Sequence, residues 1–230
     1  MRYKAKLAAI VAATSLFMTP LLAGGLSIGI IANESDFNTK GYEKEGSGDN
    51  EINSTSISNS VEFVSMFVEY MVGPDQGFNM TFGIEHIPDE ATLGAKSRTD
   101  SVGDTTADDS GAYTAKAEIS DHVSLYAEPT IMFNENFGVF LKGGATHITV
   151  RSLENLNQGD DFSTYGSESV FGVMGGIGAK AYHPSGIFIK VEATKTEYGT
   201  VTLNSVTGNK NVISAEPDQE SVRFALGYNF

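Results

Sequence analysis

The last ten residues of the chain, Ser221 to Phe230, read SVRFALGYNF and alternate strictly between two kinds of side chain. Ser221, Arg223, Ala225, Gly227 and Asn229 are small or polar. The apolar set is Val222, Phe224, Leu226, Tyr228 and Phe230. A period of two places each set on one face of a β-strand, and about ten residues is the length that a tilted strand needs to cross hydrocarbon. The stretch therefore predicts a membrane β-strand, in preference to an edge strand of a soluble sandwich.

The same alternation recurs upstream, and no helix of useful length is predicted. The spacing predicts eight strands near residues 25–37, 56–72, 78–87, 112–132, 137–153, 170–182, 187–198 and 220–230. Short turns at 73–77, 134–136 and 183–186 alternate with long polar loops, an asymmetry typical of outer-membrane barrels. We therefore predict an all-β fold, an eight-stranded antiparallel up-and-down transmembrane β-barrel.

The N-terminus predicts export. Arg2, Lys4 and Lys6 precede an uncharged stretch from Leu7 to Leu22, and a small residue, Ala23, follows. This pattern is typical of a Sec signal peptide, so we expect a signal peptide at residues 1–23 and a barrel domain at 24–230. The alternative is an inner-membrane anchor helix, because uncharged residues continue to Asn33. The chain has no Cys, which excludes disulfides and thiol redox sites.

The net charge of -14 is concentrated between the predicted strands. Residues 34–51, 88–111, 154–168 and 199–220 together carry 19 acidic and five basic residues. An acidic rim repels nucleic acid and attracts divalent cations, so we expect contacts with divalent cations at the loops and no nucleic acid partner. Asp104, Asp108, Asp109, Asp160 and Asp161 could supply calcium ligands, but no D-x-D-x-D-G loop is present and we predict no metal site.

The predicted strands also carry charges whose alternation turns them away from lipid. Five acids and five bases share this inward face: Glu69, Glu85, Glu118, Glu128 and Glu192 with Lys116, Lys142, Lys180, Lys190 and Arg223. Because charges cannot face hydrocarbon cheaply and an eight-stranded interior is just wide enough for side chains, we predict a lumen filled by ion pairs. The pairs Gly143–Gly144 and Gly175–Gly176 blur the alternation and would leave space for a pore.

No arrangement of residues predicts catalysis. The chain has four His residues, of which His122 stands two residues before Ser124. This H-x-S pair resembles an element of small outer-membrane lipid A deacylases, but the alternation turns both residues inward, whereas that family presents the pair to lipid. A barrel protease of the omptin type would need ten strands. We therefore predict a protein that is not an enzyme and has no cofactor.

The whole pattern resembles the small barrels of the OmpA transmembrane domain and OmpX group, gathered with Opa-type proteins in a porin-like superfamily. The ending on Phe230 resembles the assembly signal of such proteins. The resemblance implies a bacterial outer-membrane location, contact with lipid and lipopolysaccharide, and insertion by the outer-membrane assembly machinery through Val222, Phe224, Leu226, Tyr228 and Phe230. It also implies a structural or surface-display role. A narrow channel for ions or small solutes is the alternative.

Overall fold

The structure, a computed structural model, describes residues 25–44, 52–88, 90–100, 111–156, 165–206 and 211–230. The predicted signal peptide, residues 1–23, lies outside these residues. The described strands are β1 (Leu26–Lys44), β2 (Ile52–Val72), β3 (Gly77–His86), β4 (Ala91–Asp100), β5 (Gly111–Met132), β6 (Phe137–Leu156), β7 (Ser167–Tyr182), β8 (Ile187–Tyr198), β9 (Val201–Asn204) and β10 (Val212–Asn229). Within these ranges no helix is long and apolar enough to cross a membrane.

The strands form one closed antiparallel sheet. The order is β1-β2-β3-β5-β6-β7-β8-β10, and β10 pairs with β1 from Ser27↔Asn229 to Lys44↔Val212. β4 pairs with β5 as β3 does, and β9 pairs with β10 as β8 does. β3 with β4, and β8 with β9, therefore each occupy one position in the wall. The predicted eight-stranded antiparallel barrel is confirmed.

All four predicted long loops are partly strand, and two of them contain a strand that the sequence did not predict. Residues 88–111 contain β4, and residues 199–220 contain β9 and the first half of β10. Prolines mark both interruptions of the wall: Pro88 follows the end of β3, and Pro217 lies in β10 between its pairing with β8 and its pairing with β9. Proline has no N–H to donate to a ladder, so a strand or its neighbour is interrupted there.

A β-bulge in β5 reverses which residues face the lumen. Asp121 has a φ of 53°, and the register between β5 and β6 shifts between Ser120 and Val123. Ile119 is consequently buried with 5% exposure, whereas Val123 is 38% exposed on the outer wall. The alternation in the sequence had placed these two residues on the same face, so that prediction is wrong above the bulge.

Inward glycines make room for aromatic rings rather than for a pore. Gly83 lies opposite Tyr126 across the β3–β5 ladder, and Gly178 lies opposite Phe140 across the β6–β7 ladder. A Cβ at either glycine would lie within 2.5 Å of the opposing ring. Gly143, by contrast, lies on the outer wall with no atom within 4 Å of its Cβ position. The space that glycine leaves inside the barrel is therefore filled by the neighbouring strand.

Candidate functional site

The lumen is filled near the tight turns by a group of buried charged side chains, which we call the charged layer. None is more than 4% exposed, and four acids face four bases, so the formal charge of the layer is zero. Its members are Glu69, Glu85, Glu128, Lys142, Lys180, Lys190, Glu192 and Arg223. They come from seven strands of the wall. β8 contributes Lys190 and Glu192, and β2, β3, β5, β6, β7 and β10 contribute one residue each.

Glu128 lies at the centre of the charged layer. Its carboxylate oxygens lie 2.9 Å from the Nζ of Lys190, 3.4 Å from that of Lys142 and 3.5 Å from that of Lys180. The carboxylate thus pairs with three lysines that belong to three different strands. A buried charge is tolerated only when it is paired and hydrogen-bonded, and Glu128 supplies that pairing for its neighbours.

The remaining contacts make the charged layer continuous across the lumen. Lys142 lies 3.0 Å from Glu192, which in turn lies 3.0 Å from Arg223. Arg223 also pairs with Glu85, and Lys190 pairs with Glu69. Every charged residue of the layer therefore reaches every other through a chain of ion pairs.

Aromatic rings pack between these charges. The Nζ of Lys142 lies 3.8 Å from the centre of the Tyr126 ring, and that of Lys180 lies 5.1 Å from the Phe140 ring. The Tyr126 hydroxyl donates a hydrogen bond of 2.7 Å to Glu69. The rings therefore both fill volume and contribute cation–π attraction to lysines that have left water.

Two of the ten predicted lumen charges do not belong to this layer. Glu118 lies above the Asp121 bulge, 3.2 Å from Arg151, whose side chain is 43% exposed. Arg151 also lies 3.3 Å from Glu90, which is 61% exposed, so this group is on the outer wall. The prediction that Glu118 lies in the inner network is wrong because the bulge reverses the facing of β5. Lys116 lies in β5 above the same bulge, and its side chain is outside the described residues.

Nearer the long connections the lumen is filled by apolar side chains, which we call the apolar layer. It consists of Phe37, Ile119, Ile148, Val150, Tyr165, Val170, Tyr198, Val201 and Leu203, all less than 9% exposed. Several belong to β9, to the upper part of β6 or to residues before β7, in segments where the sequence predicted polar loop or strand end. The sequence signal that could have located them is the alternation of Val201 and Leu203 with polar neighbours.

A polar space, which we call the chamber, separates the two layers. His122 and Ser124 both point into it, as their alternation predicted. The Ser124 hydroxyl is 2.9 Å from that of Thr146 and makes no hydrogen bond to His122, so the pair does not form a nucleophile and base. The acidic residues considered above as calcium ligands lie outside the described residues: Asp104, Asp108, Asp109, Asp160 and Asp161. Within the described part of the chain, no group of three or more acidic or His residues is arranged to hold a metal.

The sequence model of the outer membrane protein beta-barrel domain matches residues 8–230. The chain belongs to this family. This outer-membrane barrel therefore lies in a bacterial outer membrane. Barrels of this type have their short turns on the periplasmic side and their long connections outside. No curated protein matches the chain.

Solved structures that resemble this outer-membrane barrel include three outer-membrane proteins. The attachment invasion locus protein Ail of Yersinia pestis, in complex with the heparin analogue sucrose octasulfate, is 14% identical, with 85% of this chain and 98% of that chain covered and a TM-score of 0.33. The outer membrane protein OprG from Pseudomonas aeruginosa is 11% identical, with 87% and 96% covered and a TM-score of 0.42. The outer membrane protease OmpT from Escherichia coli is 11% identical, with 90% and 97% covered and a TM-score of 0.39.

The C-terminal strand of the barrel presents its apolar set outward. These side chains are between 44% and 70% exposed in the isolated protein: Val222, Phe224, Leu226, Tyr228 and Phe230. The same strand position carries Arg223 inward to the charged layer and pairs with β1 to close the wall. One short segment therefore presents an apolar outer face, fills part of the lumen and closes the barrel.

Proposed function

We propose that this outer-membrane barrel is sealed along its axis and has a structural or surface-display role, acting through its acidic extracellular surface. The charged layer carries the proposal, because eight paired charges connect the walls of the lumen without an excess of either sign. An ion that entered would have to separate buried pairs, whose partners would then be left unpaired in a low-dielectric interior.

The apolar layer supports the same proposal from the other side. Its side chains close the extracellular half of the lumen, so a permeating ion would also have to cross a dry, apolar segment. A protein sealed in two places along its axis would contribute to the envelope by its fold and by what its outer surface contacts.

The partners that we propose follow from the surface of the barrel. The outward apolar side chains would contact outer-membrane lipid and lipopolysaccharide, and the C-terminal strand would engage the assembly machinery. Acidic residues such as Glu34, Asp36 and Glu62 stand on the outer wall beyond the apolar belt. They favour divalent cations as counter-ions and disfavour nucleic acid.

Single-channel recording of the refolded protein in a planar bilayer tests this proposal. Gel migration with and without heating would first establish that the barrel is closed. We expect silence or rare, brief openings. Steady cation-selective current would overturn the proposal and favour the alternative, a narrow channel in which the charged layer acts as the selectivity filter.

A further inference from the structure

The ladder between β1 and β10, which we call the closing ladder, must form in one register for the barrel to close. The outward apolar residues of β10 recur at every second position, as do those of β1. A shift by one residue would turn Arg223 toward lipid, which is costly, whereas a shift by two residues would keep every side chain on its face. The period of two therefore excludes odd shifts and leaves even shifts open.

Arg223 lies where β10 is held on both of its edges. Its partners in the two neighbouring ladders are Asn33 on β1 and Glu192 on β8. The guanidinium bonds to both: Nε donates a hydrogen bond of 2.7 Å to Asn33 Oδ1, and Nη1 lies 3.0 Å from Glu192 Oε1. Nη2 also pairs with Glu85 on β3. One side chain thus connects β10 to three other strands.

The contacts of Arg223 on the β1 side form a closed loop. The Asn33 amide donates a hydrogen bond of 3.1 Å to the Ser65 hydroxyl, which donates one of 2.6 Å to Glu85 Oε1. Because Glu85 and Asn33 both bond to Arg223, the four residues make a continuous loop over β10, β1, β2 and β3, which we call the polar circuit. None of the four is more than 5% exposed. Buried polar groups that lose their partners cost free energy, so the circuit depends on all four meeting.

A shift by two residues would break the polar circuit. Arg223 would then lie opposite Ile31 or Ser35 instead of Asn33, and it would move along β8 away from Glu192. Because two residues of a strand span about 7 Å, the guanidinium could not keep all three of its partners. Carboxylates that lose a buried cation are strongly destabilising, so the shifted registers are disfavoured.

We propose that Arg223 specifies the register in which β10 closes the barrel, acting as a positioning residue through the polar circuit and Glu192. The proposal goes beyond the sealed axis, because it gives one residue of the charged layer a role in the assembly of the wall. Shape is the rival determinant, since Phe188 packs against Gly227 and would meet a different residue after a shift.

Disulfide formation reports the register, since the natural chain has no Cys. Asp36 and Glu220 lie opposite each other and are exposed on the outer wall, so Asp36→Cys with Glu220→Cys reports the native register. Asp36→Cys with Val222→Cys, or with Asp218→Cys, reports a shift by two residues in one direction or the other. Opposite residues have their Cα atoms about 5 Å apart and diagonal ones about 7–8 Å apart, a separation that a disulfide does not span.

Each Cys pair would be oxidised after refolding from urea into detergent micelles, and the disulfides would be quantified by peptide mass spectrometry. With Arg223 present, we expect the native pair alone. In the Arg223→Met background, the yield of the shifted pairs should rise at least about tenfold, because a buried ion pair no longer disfavours those registers. Asn33→Ala keeps both ion pairs of Arg223 but opens the polar circuit, so it should cause a smaller rise and serves if Arg223→Met does not fold.

Two controls separate the register from overall stability. Glu128→Ala should lower the free energy of unfolding at least as much as Arg223→Met, but it lies on β5 away from the closing ladder and should give the native pair alone. Ser221→Ala removes a hydrogen bond of 2.7 Å to Ser35 across the closing ladder and leaves the polar circuit intact, so it should also keep the native register.

Two outcomes would overturn the proposal. Shifted disulfides in Glu128→Ala at the level of Arg223→Met would show that the register follows overall stability. The native disulfide alone in both Arg223→Met and Asn33→Ala would assign the register to the packing of Phe188 against Gly227. Shifted disulfides in these two variants, with the native one alone in both controls, would assign it to Arg223.

Discussion

The two filled layers of the lumen lie on the same strands but are built in opposite ways. In the charged layer, polar residues face inward and apolar residues face outward: on β8, Lys190 and Glu192 point into the lumen while Val191 is exposed on the wall. In the apolar layer the arrangement is reversed, since Tyr198 is buried while Lys195 and Glu197 face outward. The alternation of the strand continues, and the residue types on its two faces change places.

This reversal follows from what surrounds the wall. Where the outside is hydrocarbon, the outer face must be apolar, and polar side chains can be placed only inside. Beyond the hydrocarbon the outside is water, so the inner face can form an ordinary hydrophobic core. Substitutions in the two layers should therefore lower the stability of the barrel in different ways. The charged layer depends on every partner being present, whereas the apolar layer loses stability according to the volume removed.

The largest loss of stability should follow a substitution at the centre of the charged layer. Glu128→Ala leaves Lys142, Lys180 and Lys190 buried without their shared carboxylate, and we expect the free energy of unfolding to fall by about 3–5 kcal/mol. Because the chain has no Trp, unfolding in urea would be followed by far-UV circular dichroism and by gel migration. The control is Glu197→Ala, which removes an outward acid from β8 and should have little effect. Equal stability of the two variants would contradict a charged layer that depends on its pairing.

A substitution in the apolar layer should lower the free energy of unfolding in proportion to the volume of the cavity that it leaves. Ile148 is fully buried, and Ile148→Ala should lower the free energy of unfolding by about 2–5 kcal/mol. Leu141→Ala, a lipid-facing substitution on the same strand, is the control and should cost less in the same urea titration. Because the charged layer remains intact, we also expect the Ile148→Ala variant to stay silent in a planar bilayer. Steady current from it would show that the apolar layer alone seals the axis.

The sequence predicted most of the barrel because the outer apolar belt produces a strong period of two. The predicted inward facing of Glu69, Lys142, Lys190 and Arg223 depends only on that period, so the structure brings these residues together. The period of two could not show where an inserted residue exchanges the inward and outward faces of a strand. Asp121 at φ 53° inserts one residue into β5, and Glu118 consequently lies on the wall.

The reversal explains the remaining errors. Above the lipid belt the outer face is polar and the loops are acidic, so strands there resemble loops in composition. For this reason the sequence predicts a loop at Val201 and Leu203, although both are buried in the apolar layer. The pairing of glycine with an opposing ring, as at Gly83 and Tyr126, depends on register between strands, which the chain composition does not contain.

Removing both charges of a buried ion pair should lower the free energy of unfolding less than removing only one of them. Arg223→Met leaves Glu85 buried without its cation and should destabilise by a few kcal/mol, about as much as other broken buried pairs. Adding Glu85→Gln should restore most of this loss, because a neutral amide has a smaller desolvation cost than a carboxylate. A double-mutant cycle in urea measures the coupling. Additive losses would show that Glu85 and Arg223 act independently of each other.

The smallest loss of stability should follow the removal of an exposed ion pair on the outer wall, whose geometry is similar to that of the buried pairs. Lys195 lies 3.1 Å from Glu220, and the hydrogen bond that it donates to this carboxylate raises the pKa of Lys195. Yet the two side chains are 51% and 58% exposed, so water and salt compete for both charges. We expect Lys195→Ala to leave the urea midpoint unchanged at low and at high salt. A loss as large as that of Glu128→Ala would mean that the distance between partners, rather than their removal from water, determines what an ion pair contributes in this barrel. An unchanged midpoint, beside a large loss for Glu128→Ala, would assign the contribution of the charged layer to its burial.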